Sequence, residues 1–162
     1  MDITSRDVIL LGHAAFGSLA GMAALWVFVE TLNARPENAG RTYNASLIAA
    51  ISMGAASILG GYWYVHFYPA DKGIILKGPW PFAHNLIMET KEHLVFLTGI
   101  LAFYLPIAVR DKIYANAVAR KMVLSVALLI VLTDLAAEGA GAIISHGVTV
   151  ALQRGNLKGA RQ

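Results

Sequence analysis

Four stretches of this chain, roughly 8–32, 46–68, 86–109 and 122–148, are apolar for longer than the core helices of a soluble domain require. A hydrocarbon layer of ~30 Å takes about 20 helical residues, so each stretch is long enough to cross it. Inside hydrocarbon every backbone N–H and C=O must find its partner within the segment, which leaves the α-helix as the form these stretches can take. The expected fold is an all-α membrane protein. Residues 1–162 would form a single integral membrane domain, a bundle of four transmembrane helices with both termini on the same side. Composition agrees, because 57% of residues are hydrophobic and 14% charged, against about 45–50% and about 25% in soluble domains.

The first apolar run is too long for a signal-peptide core and no clear small-residue cleavage site follows it, so the first helix is expected to be retained. Residues 33–45 read as a polar turn. Residues 69–82, with Pro69, Pro79, Trp80 and Pro81, read as an ordered interfacial loop, and 149–162 as a short basic tail. Pro106 is expected to kink or fray the end of the third span. Most aromatic residues fall near span ends, as interfacial belts do; Tyr62 and Trp63, beside His66, are the two considered as cofactor contacts.

Cysteine is absent, which excludes disulfides, thiolate metal sites and covalent c-type haem. The 13 basic residues are scattered and flank the apolar runs, a pattern of membrane flanks rather than of a nucleic-acid surface. No phosphate-binding Gly-Lys-Ser/Thr, nucleophile elbow or HExxH pair is present, so hydrolase chemistry has no support.

Position along each span converts to depth at ~1.5 Å per residue. Measured from the face of the first and third connections, His13 lies ~27 Å up, His66 ~30 Å, His93 ~24 Å and His146 ~37 Å. Each span thus offers one histidine to the same membrane half, and His84 enters from that side. Taken singly, each histidine reads as an interface anchor; together, ionisable groups at one membrane level point to function. Gly17 and Gly21 on span one, and Gly54, Gly60 and Gly61 on span two, leave room either for a flat macrocycle or for close helix packing. Neutral imidazole ligates b-type haem, and four-helix bundles build such sites from facing helices. The expected cofactor-binding residues are therefore His13, His66, His93, His146, Gly17 and Gly61, holding one or two haems b, with His13 and His93 as the first pair. Asp134 and Glu138, one turn apart on span four, would carry protons. An alternative places a non-haem metal between His13, Glu89, His93 and Glu138, whereas Lys91 and Glu92 read as solvated surface residues.

The run Gly139-Ala140-Gly141-Ala142-Ile143-Ile144-Ser145-His146-Gly147-Val148, with His13 and His93, resembles a bacterial family of four-helix membrane proteins catalogued as a domain of unknown function. Some members of that family are joined to Rieske-type iron–sulfur domains. The family begins with several His-Pro elements, whereas here Gly12-His13-Ala14 stands. The resemblance, and a looser one to bis-histidine b-type cytochromes, implies a redox-linked module of the bacterial inner membrane. The expected function is an electron-transfer subunit that exchanges electrons with quinone or with other subunits of a membrane complex, the cofactor supplying the redox step. A cofactor-free structural subunit and a proton channel built on Asp134 and Glu138 are the remaining alternatives. The basic short connections favour cytoplasmic placement of the first and third, with the termini and the histidines on the outer, periplasmic side.

Overall fold

A computed structural model describes residues 4–110 and 112–159. The elements are α1 (Ser5–Leu32), a 3-10 turn (Pro36–Asn38), α2 (Ala39–His66), α3 (Tyr68–Lys77), a π-helix (Ala83–Met88), α4 (Glu89–Ala108) and α5 (Ala117–Gly159). No strand occurs among the described residues. Four helical stretches, Ser5–Leu32, Pro36–His66, Ala83–Ala108 and Ala117–Gly155, are long and apolar enough to cross a membrane. They pack as an up-and-down ring in which α1 touches α2 and α5, and α4 closes the ring between α2 and α5. The chain is an all-α, four-span membrane bundle.

The interior is built from small residues. Ala20, Ala23, Ala24 and Val27 of α1 meet Ala45, Ala49 and Met53 of α2, Ala102 and Leu105 of α4, and Val123, Ala127 and Ile130 of α5. The large apolar side chains point outward instead, with Ile51, Ile58, Phe96 and Val118 at least 70% exposed. Hydrocarbon solvates such groups as well as a protein core does, so association depends on close backbone approach, which small residues allow.

Several boundaries differ from the sequence expectation. The first connection is short, because Pro36 opens a 3-10 turn and α2 starts at Ala39 rather than near 46. The buried Asn38 amide donates to the carbonyls of Glu30 and Asn33, and its oxygen accepts from Arg35 N at 2.9 Å. One side chain thereby satisfies carbonyls that the end of α1 leaves open. Arg41 and Asn44, read as loop, are exposed helical residues, while Thr42, Ala45 and Ser46 are buried beside them. The 69–82 loop contains a helix, since Pro69 lies in the first turn of α3, where a missing N–H costs nothing. Tyr68, Asp71 and Ile75 form its buried face. Arg6 reaches from α1 to Asp71, Nη2 to Oδ2 at 2.6 Å.

The basic tail is helical as far as Gly159, residues 160–162 lying outside those described, and α5 runs for 43 residues, ~65 Å and so far more than a bilayer core requires. Its extension packs against α3, where a Cβ on Gly78 would stand 2.5 Å from Ala151 Cβ. Pro106 is buried in the last turn of α4, which ends two residues later.

Ala24→Leu, at a position fully buried in α1, should force α1 from its neighbours and cost about 1–3 kcal/mol. Ile58→Ala, at a position 74% exposed, should change stability by no more than about 0.5 kcal/mol. Thermal unfolding of both variants in one detergent checks this; equal melting temperatures would contradict the small-residue interior.

Candidate functional site

The polar residues inside the bundle follow from helical phase. On α4, Lys91, Val95, Thr98 and Ala102 repeat at spacings of four and three and so share one face. On α5, Asp134, Glu138 and Gly141 do the same, as do His13, Gly17, Ala20, Gly21 and Ala24 on α1. These faces meet. His13, Lys91, Asp134 and Glu138 line one small cavity of about 30 Å³ together with Gly17, Ser57 and Thr98. That volume exceeds the ~10–15 Å³ a water molecule needs.

Each of the four ionisable side chains rests on a glycine of a facing helix. A Cβ on Gly60 would lie 2.6 Å from His13 Nδ1, one on Gly17 2.8 Å from Glu138 Oε1, and one on Gly141 2.9 Å from Lys91 Nζ. A Cβ on Gly21 would collide with the Asp134 carboxylate. The Gly17-x-x-x-Gly21 pair of α1 therefore matches the Asp134-x-x-x-Glu138 pair of antiparallel α5, in reversed order. The glycines are sockets for side chains.

Asp134 is only 7% exposed, and among the described residues Asp134, Glu138 and Lys91 make no direct hydrogen bond to protein. Trp63 Nε1 is the one described side-chain atom sealed without a partner; the polar ends of the other three border the cavity instead. Glu138 stands at the centre of the charges, within Coulombic reach of His13, Lys91 and Asp134. Just below, the hydroxyls of Thr98 and Thr133 hydrogen-bond across α4 and α5 at 2.7 Å.

A second, larger space adjoins the first. A groove of about 500 Å³ runs between α2 and α4, floored by Gly60, Gly61 and Gly99 and walled by Val95, Phe96, Ile100 and Phe103. Its polar end carries His13, Ser57, Tyr64, Lys91 and Glu92, with Met88 beside them. A Cβ on Gly61 or Gly99 would meet nothing within 4 Å, so these glycines widen the groove. His13 and Lys91 border both spaces and form the wall between them. His13 Nδ1 lies 2.9 Å from the Ala56 carbonyl. A carbonyl can only accept, so Nδ1 carries the proton and Nε2 of the neutral ring keeps its lone pair.

The other sequence-expected residues lie elsewhere. His66 is exposed, stacked on Tyr62 at 4.1 Å with Nδ1 on the Tyr62 carbonyl. His93 is exposed with Nδ1 on the Glu89 carbonyl at 2.7 Å, and exposed His146 packs edge-on to Trp80 at 5.0 Å. Neither cavity that His13 borders includes these three. Equal height does not give equal facing: His93 follows inward-facing Lys91 by two residues, a turn of ~200°. Glu89 shares the outward face, so the set His13, Glu89, His93 and Glu138 is not gathered. Among the described residues no three His, Asp or Glu side chains are grouped to hold a metal ion. Gly17 borders the small cavity and Gly61 the groove. Lys91, read from sequence as a solvated residue, is half-buried and central; its spacing to Val95 and Thr98 was the available signal.

His84 is buried in a separate cluster with Tyr68, Ile75, Met88 and Ile144. Tyr68 OH and His84 Nδ1 are 2.9 Å apart. Burial, with Tyr64, Asp71 and Glu92 nearby, pushes the Tyr68 hydroxyl above its ordinary range, so it stays protonated. The π-helix that carries His84 ends at Met88, on the groove; π-turns of this kind occur often at functional sites.

No protein-family model matches the chain, and no curated protein or solved structure is significantly similar to it.

Gly21→Ala should lower the melting temperature, because its methyl group occupies the place of the Asp134 carboxylate. Adding Asp134→Ala should recover part of the loss, with a coupling of about 0.5–3 kcal/mol in a double-mutant cycle read by thermal unfolding. Strictly additive effects would mean that Gly21 and Asp134 are not in contact.

Proposed function

We propose that the chain is a redox subunit of a bacterial inner-membrane complex whose α2–α4 groove binds the head group of a quinone and whose interior cavity handles its protons. The observation that carries this reading is His13, standing between groove and cavity with Nδ1 fixed on the Ala56 carbonyl. Its free Nε2 would accept a hydrogen bond from a quinol hydroxyl, and Lys91 Nζ would donate to a quinone carbonyl. The glycine floor admits a flat ring, and the aromatic wall continues as a surface for an isoprenoid tail. Oxidation of a quinol releases two protons and two electrons. The protons would pass by His13 toward Glu138 and Asp134, where one lysine cation faces two carboxyls and neutrality calls for one added proton. The electrons would leave to an acceptor held by a partner subunit. The termini and the groove would lie toward the periplasmic side, as the basic first and third connections favour.

A b-type haem in the same groove is the second reading, favoured by the tautomer of His13. A ligating histidine commonly donates its other N–H to a backbone carbonyl, as His13 does to Ala56. His13, Met88 and Tyr64 are side chains in this groove of types that serve as axial ligands. When bound, such a haem would supply one-electron transfer. His66, His93 and His146 would then not share it within one chain.

Protein purified in mild detergent from quinone- and haem-replete cells tests both. Solvent extraction should recover close to one quinone per chain, and His13→Ala should weaken retention about tenfold, the loss of one hydrogen bond of ~1.4 kcal/mol. His66→Ala, His93→Ala and His146→Ala should retain it. A reduced-minus-oxidised b-type spectrum lost in His13→Ala would replace quinone with haem, and neither ligand in wild-type protein would overturn the function.

A further inference from the structure

The opposite end of the bundle carries a basic cavity that the redox reading does not use. About 380 Å³ in volume, it is lined by Ala39 and Tyr43 at the start of α2 and by Val109, Arg110, Lys112, Ile113 and Tyr114 in the turn after α4. Since α2 begins and α4 ends here, the cavity lies at the level where spans leave hydrocarbon. Arg110 is fixed in place: Nη2 donates to Tyr43 OH at 2.7 Å, and the guanidinium carbon sits 5.3 Å from the Tyr43 ring centroid. The phenol hydroxyl uses one of five guanidinium N–H groups, so several donors remain.

The described residues of the turn are hydrogen-bonded to one another. Lys112 has φ 44, the one non-glycine residue with positive φ among those described, a conformation L side chains rarely adopt. Its N–H donates to Arg110 O at 2.9 Å, and its carbonyl accepts from Ala115 N at 2.8 Å. Asn116 Oδ1 accepts from Val118 N and Ala119 N and so caps α5. The cavity therefore presents two cations from a hydrogen-bonded turn, above buried Val109 and Ile113 and between two tyrosines.

Among the described residues this face carries Arg35, Arg41, Arg110, Lys112, Arg120 and Lys121 against Glu30 and Glu37, and Glu30 is already paired with Arg41 at 3.2 Å. We propose that this cavity binds the phosphate of an anionic phospholipid, with Arg110 and Lys112 as phosphate contacts and Tyr43 as the residue that positions the Arg110 guanidinium. A cationic pocket with an apolar wall at the membrane interface is complementary to a lipid carrying both a phosphate and acyl chains.

Native mass spectrometry of the delipidated protein titrated with phosphatidylglycerol, phosphatidylcholine or inorganic phosphate tests the assignment. Wild-type protein should retain phosphatidylglycerol at least tenfold better than phosphatidylcholine. Arg110→Ala/Lys112→Ala should abolish that preference, and Tyr43→Phe should reduce it several-fold. Arg120→Ala/Lys121→Ala, basic but outside the cavity, should leave it intact. Unchanged melting temperatures and helical circular dichroism would show that the variants fold, and the isolated Tyr43→Phe change keeps the test open if the double variant does not. A preference that survives Arg110→Ala/Lys112→Ala would overturn the site. Inorganic phosphate competing as well as the lipid does would replace a lipid site with a simple anion site. Quinone or haem retention is read separately and does not bear on either outcome.

Discussion

Ionisable groups inside a bilayer have to be paired, hydrated, neutral or absent, and this bundle is organised around four that are present. Lys91, Asp134, Glu138 and His13 converge on one small cavity, which is possible because the facing helices withdraw their Cβ atoms. Gly17, Gly21, Gly60 and Gly141 each lie against one polar end. This sets the register of α1 on α5, because a one-residue slip would turn both glycines away from both carboxylates. The same contacts fix the relation of α2 to α1 through His13 and of α4 to α5 through Lys91. The polar site is thus a register device as well as a candidate centre of chemistry.

Below that level the bundle is held by alanine. A soluble core would gain from larger apolar side chains, but here lipid competes for them on equal terms, and Ile51, Ile58 and Phe96 face outward. Tight alanine packing in one half and a glycine-lined polar site in the other divide the molecule along the membrane normal. The half containing α3 and the π-helix has its own buried cluster, with the Arg6–Asp71 ion pair and the Tyr68–His84 hydrogen bond at its edge. These contacts stiffen the mouth of the bundle on the groove side, and Met88 joins that cluster to the groove itself.

The number and rough placement of the spans were legible in the sequence because hydropathy over twenty residues is a strong signal. Helix ends were not. Arg41 and Asn44 look like loop in a hydropathy profile, yet a helix can extend polar residues into the interface, and Pro69 starts α3 where composition suggested a break. Depth follows from the rise per residue, and His13 and Glu138, on different spans, line one cavity. Facing was harder, since 100° per residue turns a small error of phase into the opposite face. His93 and His13 share a height and no cavity, whereas Lys91, two residues earlier, points inward.

The arrangement has one further consequence for chemistry. A groove along the outer face of α2 and α4 and a smaller cavity between the helices would ordinarily be independent, but His13 and Lys91 belong to both. A proton accepted at His13 Nε2 adds positive charge beside Lys91 and within reach of Glu138, so the state of the groove alters the field in the cavity without any helix moving. The imidazole cannot turn freely to avoid this, because Nδ1 is held by Ala56 and the ring rests on Gly60. Replacing Gly60 by a larger residue would push the ring away from both neighbours, which ties the electrostatics of the site to a single missing methyl group.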